Sequence, residues 1–211
     1  MLLVQTKGWW WPKLGKKPEN RLFHVATDEE IKSGETTDVY FVRTKRVLEW
    51  LGLTDVRVVA EITPPRRLPQ NWPWCVLCGV EEAAKLLEGY PVTAYSMPEG
   101  TIFFSKDSRG YAEPVFFIEG KYVDFGVIET ALLGLLCQAT GVATRAARIR
   151  KIAGDKLVAS FGIRRMHPAI APMIDRAAYI GGFDGVSGIT GAKLIGMPPV
   201  GTMPHALMIA F

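Results

Sequence analysis

Hydrophobic and polar positions divide the chain into two stretches of different periodicity. In the first stretch, the pattern predicts a short helix that begins at Asp28 and ends at Gly34, followed by a second helix capped by Thr37 or Asp38. The β-branched run "VRVVAEIT" predicts a strand, and "PPRRLPQNWPW" predicts a loop because its prolines interrupt both helices and strands. The run "GVEEAAKLLEG" has helical periodicity and ends at Gly89.

Short apolar runs continue this first stretch. The segments "VTAYSMPEGTIFFS", "PVFFIEG" and "YVDFG" predict strands joined by turns, arranged as an antiparallel meander. Helices and strands that are not regularly alternated are typical of an α+β domain, which we assign to residues 22–126.

The periodicity changes at about residue 127. A long helical pattern ends at Gly154, and three strand-like segments follow: "LVASFGIRR", "AAYIGGFDGVSG" and "PPVGTMPHA". Helix-forming segments, "APMIDRAA" and "SGITGAKLIG", separate them, and each strand-like segment ends in polar or charged residues. This order predicts a parallel β/α array with its chemistry at the carboxyl ends of the strands.

The length of the second stretch limits its architecture. A closed eight-stranded α/β barrel takes about 250 residues, or roughly 200 at the low end, whereas the part after Gly154 has room for about three β/α units. We therefore predict that residues 127–211 form a linking helix and the first strands of a barrel that is incomplete in this chain.

Charge is concentrated at the start of the chain. The 211 residues carry a net charge of +4, and residues 1–21 hold five basic residues against one acidic residue, which accounts for all of it. We interpret this Trp-rich segment as a disordered extension. Its lysines and tryptophans also suit a nucleic-acid or lipid surface, but the neutral body favours neither nucleic acid nor membrane as a partner. The longest apolar stretch, "TALLGLLCQATGVA", is too short for a membrane span, so we expect a cytoplasmic protein.

The three cysteines provide little evidence for a metal site. Cys75 and Cys78 form a lone C-x-x-C without a second pair or a histidine at ligand spacing, which favours ordinary half-buried thiols over a metal site. Cys137 lies in an apolar helical run, so we predict that it is buried in the core.

The candidate chemistry lies after the predicted strands. Arg164 and Arg165 suit a carboxylate or phosphate, although they also suit a solvated surface pair. Phe161 suits either a core or a stacking platform, and Asp184, between glycines, suits either a turn or a ligand contact. His205 follows the third predicted strand and a threonine, Thr202, that can donate to an anion.

Several longer runs carry a family resemblance: "ATDEEIKSGETTDVYFVRT", "MPEGTIFF", "DFGVIETALLGLLCQATGVAT", "SFGIRRMHPAIAPMIDRAAYIGGFDGVSGITGAKLIG" and "PVGTMPHAL". Together they resemble archaeal-type nicotinate phosphoribosyltransferase over most of residues 22–211. The resemblance implies an α+β N-terminal domain followed by the first part of a TIM-like, type II phosphoribosyltransferase barrel. It implies nicotinate, phosphoribosyl pyrophosphate and ATP as substrates, Mg²⁺ with the ATP, and nicotinate mononucleotide as product.

The resemblance also implies roles for particular residues. His205 resembles the histidine that ATP phosphorylates, and Phe161 resembles the aromatic on one face of the pyridine ring. Tyr40 resembles the aromatic that covers the other face from a partner subunit, which implies a homodimer or pairing with a complementary C-terminal half.

Three further positions are implied to bind substrate. Thr202 resembles a nicotinate contact, Arg164 a cation near the substrate carboxylate or phosphates, and Asp184 a polar contact to the ring. Because the family continues past the histidine, we expect a truncated protein that alone binds nicotinate weakly and turns over poorly.

Two other hypotheses remain open. A quinolinate phosphoribosyltransferase would share the architecture without needing a phosphorylated histidine. A non-catalytic subunit or remnant would instead pair with a full-length homologue.

Overall fold

In a computed structural model of the protein, the described residues are 21–211, so the extension assigned to residues 1–21 lies, except for Arg21, outside them. The helices are α1 (Asp28–Lys32), α2 (Val39–Trp50), α3 (Val80–Leu87), α4 (Tyr122–Phe125), α5 (Glu129–Ala153), α6 (Ala171–Ile180), α7 (Ile189–Leu194) and α8 (His205–Ala210). The strands are β1 (Arg57–Ile62), β2 (Cys75–Val76), β3 (Thr93–Ser96), β4 (Ile102–Phe103), β5 (Phe116–Lys121), β6 (Ala159–Ser160) and β7 (Gly185–Val186).

The first half contains an antiparallel sheet in the order β1–β5–β3 and a separate antiparallel pair, β2–β4. Residues of β5 alternate between buried and half-buried because successive side chains of a strand point to opposite faces. The prediction of a meander is wrong, since β5 is the central strand and β4 pairs with β2. The last predicted strand is helix α4, in which Tyr122 packs edge-on against Phe125 at 5.6 Å, a contact that suits the i, i+3 spacing of a helix.

Helix α5 is the central element of the core. Leu132 and Leu136 pack in the cluster around Phe116, while Ala139 and Ala143 pack against other elements in a second cluster. The prediction that Cys137 is buried is wrong: its thiol is exposed because it lies on the opposite side of the helix from the buried positions.

The prediction that the longest apolar stretch is too short for a membrane span is wrong. The helical run Tyr122–Ala153 has 32 residues and is long and apolar enough to cross a membrane by length and composition, because the helix extends beyond the apolar letters at both ends. A third of its most apolar window is buried inside the protein. Its buried residues lie on the side of the helix that packs against α6, β2 and α3.

The second half contains one parallel strand pair. Strands β6 and β7 pair through Ala159 with Gly185 and Ser160 with Val186, and α6, which lies between them in sequence, packs against α5. Both strands are shorter than predicted, and the residues after β6 form a 3₁₀ turn at Ile163–Arg165.

The third predicted strand, "PPVGTMPHA", is not formed. Its one ladder-like bond runs from the Val200 amide to the Val186 carbonyl at 2.9 Å. Pro198, Pro199 and Pro204 have no amide hydrogen to donate, so a regular ladder cannot form, and α8 begins at His205 instead.

Candidate functional site

A cleft of about 620 Å³ lies where the parallel strands end. Phe161 directly follows β6, Ser187 directly follows β7, and the segment after α7 supplies the remaining wall. The lining residues are Phe161, Arg164, Ser187, Val200, Gly201, Thr202, Met203, Pro204 and His205. Four of the six residues for which the resemblance implies a role therefore lie around one cavity: Phe161, Arg164, Thr202 and His205.

The chemistry of the four side chains is complementary to a flat anion. Phe161 is 51% exposed, so much of its ring is free to stack on a ligand. Arg164 presents a guanidinium that can bind a carboxylate with two parallel hydrogen bonds, and the Thr202 hydroxyl can donate another. His205, the first residue of α8, is exposed and provides an imidazole at the edge of the cleft.

Asp184 lies outside this lining. Its carboxylate accepts a hydrogen bond of 2.7 Å from the Val158 amide and forms an ion pair with Arg150. The Val158 amide and the Arg150 guanidinium both lower the pKa of Asp184. Arg150 also donates to the carbonyls of Gly182, Gly154 and Lys156, so the pair ties the end of α5 to the loops that enter β6 and β7.

Tyr40 also lies away from the cleft, in the first turn of α2 as predicted. Its ring is 54% exposed and lies 4.1 Å from the ring of the buried Phe41. Partial desolvation, with the charges of Asp38 and Glu129, raises the pKa of Tyr40. The tyrosine therefore presents a neutral ring and hydroxyl on the surface.

Sequence reasoning missed five lining residues: Ser187, Val200, Gly201, Met203 and Pro204. Ser187 carried a usable signal because it follows a β-branched residue at a strand end, between glycines. His167 does not line the cleft, and its Nδ1 accepts a hydrogen bond of 3.2 Å from the Ala169 amide at the start of a 3₁₀ turn. That bond gives His167 a local structural role.

No group of three or more His, Cys, Asp or Glu side chains comes together at metal-binding distances within residues 21–211. Cys75 and Cys78 are both buried and unpaired as thiols. Burial, with the nearby Glu99 carboxylate, raises the pKa of Cys78 to about 12, which disfavours the thiolate that metal binding and redox chemistry require.

Comparison with protein families finds a match over residues 38–140 to the model described as "Quinolinate phosphoribosyl transferase, N-terminal domain". The nicotinate phosphoribosyltransferase of Bacillus subtilis (strain 168) is 31% identical over 205 residues, covering 83% of this chain and 40% of the relative. Nicotinate phosphoribosyltransferase 1 of Arabidopsis thaliana is 37% identical over 210 residues, covering 94% of this chain and 34% of the relative.

Two solved structures share the fold of this chain over most of its length. The nicotinate-nucleotide pyrophosphorylase of Pyrococcus furiosus superposes with a TM-score of 0.84 at 59% identity, covering 90% of this chain and 47% of that one. Human nicotinic acid phosphoribosyltransferase shares the fold, with a TM-score of 0.73 at 24% identity, over 83% of this chain and 40% of that one. The chain thus spans less than half the length of each of these proteins. Over most of its length, the chain is a relative of the nicotinate phosphoribosyltransferases.

Proposed function

We propose that this chain carries the nicotinate-binding part of a nicotinate phosphoribosyltransferase of NAD biosynthesis. In the reaction, the pyridine nitrogen of nicotinate bonds to the ribose carbon of phosphoribosyl pyrophosphate, and pyrophosphate leaves. The observation that carries the proposal is the single cleft around Phe161, Arg164, Thr202 and His205.

Nicotinate is a flat aromatic ring with one carboxylate, and the cleft offers a partner for each part. Phe161 stacks on the ring, a contact that contributes about 1 kcal/mol beyond area burial. Arg164 binds the carboxylate, and Thr202 donates its hydroxyl to the same anion. Asp184 pairs with Arg150 outside the cleft, so in this proposal it does not contact the ring. It instead holds the loops that enter β6 and β7.

His205 accepts the γ-phosphoryl group of ATP. A bond forms between an imidazole nitrogen and phosphorus, the bond to the ADP oxygen breaks, and the ring releases a proton. The phosphorylated ring adds negative charge at the edge of the cleft, which changes the affinity for anionic substrates and products. Mg²⁺ enters only as the counter-ion of the ATP phosphates, and none of these steps uses a metal held by the protein.

The partner we propose is a second subunit, or a complementary C-terminal half, in the cytoplasm. Tyr40 is the residue that would reach it, because its ring is 54% exposed and does not line the cleft of its own chain. Copurification with a complete homologue would favour instead a non-catalytic subunit that pairs with it.

A quinolinate phosphoribosyltransferase is the second candidate, favoured by the family model over residues 38–140. Quinolinate has two carboxylates, and a site for it needs a cation for each. The described lining contains one arginine and no lysine, which fits the single carboxylate of nicotinate better.

The test is phosphoryl transfer from γ-labelled ATP to the purified chain. We expect acid-labile label on the parent and on His167→Gln, a control histidine outside the cleft, but none on His205→Gln. Label that survives His205→Gln, or no label on any of the three, contradicts the proposed role of His205. Titration with nicotinate and with quinolinate separates the two candidates, because tighter binding of quinolinate would overturn the nicotinate assignment.

A further inference from the structure

A buried carboxylate lies behind the cleft, without a part in the proposed chemistry. Asp175, on α6, is 0% exposed. One carboxylate oxygen, Oδ1, accepts a hydrogen bond of 3.2 Å from the Ser160 hydroxyl, and the other, Oδ2, lies against Gly188 without a hydrogen bond of regular geometry. A buried carboxylate with so few hydrogen bonds reduces stability unless its other contacts compensate for the lost hydration.

Ser160 connects this carboxylate to the cleft. It is the last residue of β6, directly before Phe161, and is itself buried. Its carbonyl accepts the amide of Ser187 at 2.9 Å. Phe161, which follows Ser160 in sequence, and Ser187, which is hydrogen-bonded to it, both line the cleft. One buried serine therefore holds two walls of the cleft.

Asp175 also packs against the backbone that follows Ser187. A Cβ atom placed on Gly188 would overlap the carboxylate oxygen Oδ2, and one placed on Gly191 would overlap the Asp175 side chain. The turn that leads from β7 into α7 therefore rests directly on this aspartate. Asp175 contacts three segments at once: β6, the β7–α7 turn and α7.

We propose that Asp175 is a positioning residue that acts through Ser160 to fix Phe161 and Ser187 in the walls of the cleft. The Asp175–Ser160 bond orients the end of β6, and the Ser160–Ser187 bond carries that orientation across to the end of β7. The consequence for nicotinate binding rests on the proposed function, whereas the effect on the cleft backbone does not.

The experiment measures amide hydrogen exchange at Ser187 and, in parallel, the dissociation constant for nicotinate. Ser160→Ala and Asp175→Leu both remove the bond, and we expect Ser187 exchange to accelerate and nicotinate binding to weaken, each by about tenfold. Asp175→Asn keeps an acceptor for the Ser160 hydroxyl, so we expect it to remain close to the parent in both measurements. If Asp175→Leu does not fold, Ser160→Ala, which removes a single oxygen, gives the same readout.

The matched control is Thr144→Val. Thr144 is also fully buried and its hydroxyl accepts the Val76 amide at 2.9 Å, but it does not line the cleft. We expect it to lower global stability while Ser187 exchange, corrected for that loss, and nicotinate affinity stay unchanged. Equal corrected exchange in Ser160→Ala and Thr144→Val overturns the positioning role. A parent chain that binds no nicotinate overturns the proposed function alone, since the exchange comparison still decides the role of Asp175.

Discussion

Two aspartates of the second half hold their carboxylates in opposite environments. Burial raises the pKa of Asp175, with the Ser160 hydroxyl and the nearby Gly188 amide opposing it. The Val158 amide and Arg150 lower the pKa of Asp184. The fold therefore disfavours the charge of one aspartate and favours the charge of the other.

Asp184 provides a prediction about pH. Because its pKa is lower in the folded than in the unfolded chain, its contribution to stability is present above the unfolded value, about 4, and is lost as the pH falls through the folded value. We expect the melting temperature of the parent to exceed that of Asp184→Asn at pH 6, with the difference shrinking below pH ~4. A difference that is constant with pH would contradict the assigned ion pair.

Phe161 provides a prediction about binding. Removing the ring in Phe161→Ala eliminates the stacking face, and we expect nicotinate affinity to fall about fivefold to tenfold, while Phe161→Tyr retains it. Isothermal titration of the three proteins measures the effect. Because the ring is half exposed, melting temperatures should change little, and unchanged affinity in Phe161→Ala would place nicotinate elsewhere.

The position of a site side chain could be predicted from the sequence only where local chain order determines it. Phe161 and Arg164 belong to the first predicted strand-like segment after α5, and Thr202 and His205 belong to the third, so the predicted parallel arrangement already brought these two segments to one edge. The direction of the Asp184 side chain depends on Arg150, 34 residues earlier in the sequence, and no local pattern contains that information. The roles of these residues in catalysis remain predictions.

The packing of α6 on α5 depends on close backbone approach. A Cβ atom on Gly181, just after α6, would overlap the Ala143 carbonyl oxygen of α5 and lie 2.6 Å from the Ala146 Cβ. Gly134, on the exposed side of α5, has no atom within 4 Å of the same position. The two glycines thus differ in packing, although both belong to the α5–α6 unit.

Alanine at the two positions should have opposite effects. We expect Gly181→Ala to lower the free energy of unfolding by about 1–3 kcal/mol, because the two helices must move apart. Gly134→Ala should raise it by about 0.5–1 kcal/mol, because glycine inside a helix loses more conformational entropy than alanine. Urea unfolding of both variants checks the signs, and a stabilised Gly181→Ala would show that the contact is looser than described.

Helix positions were more predictable from the sequence than strand pairing. The bounds of α2, α3 and α5 follow from 3.6-residue periodicity and from glycines such as Gly89 and Gly154, which adopt positive φ where their helices end. The central place of β5 depends on long-range pairing with β1 and β3, which local alternation does not specify. The segment "PPVGTMPHA" after α7 has the apolar residues of a strand, but its prolines lack the amide hydrogens that a strand ladder needs.

For the whole molecule, one charged cluster joins the two halves. Arg176 on α6 donates to Glu99 at 2.5 Å and to Glu81 of α3 at 2.7 Å. Glu99 also accepts the amides of Gly79 and Val80 at the start of α3. Burial alone would raise the pKa of Glu99, but Arg176 and the two amides outweigh it and hold the value below normal.

Removing Arg176 should therefore reduce cooperativity between the halves. We expect Arg176→Gln to lower the free energy of unfolding by about 1–3 kcal/mol, since it leaves the partly buried Glu99 carboxylate without its cation. Urea transitions followed by tryptophan fluorescence, which reports on the first half, and by far-UV circular dichroism should then separate. Arg57→Gln, which removes an exposed pair with Glu119, should leave both transitions coincident.

The proline-rich segment between α7 and α8 has a thermodynamic consequence. Thr202 lies in a segment tied to β7 by one amide bond from Val200, with prolines at positions 198, 199 and 204. Because proline restricts the unfolded chain, few conformations are lost when this segment orders. The wall that carries Thr202 and His205 is therefore ordered at small entropic cost, and a ligand bound there would retain most of the affinity that its contacts supply.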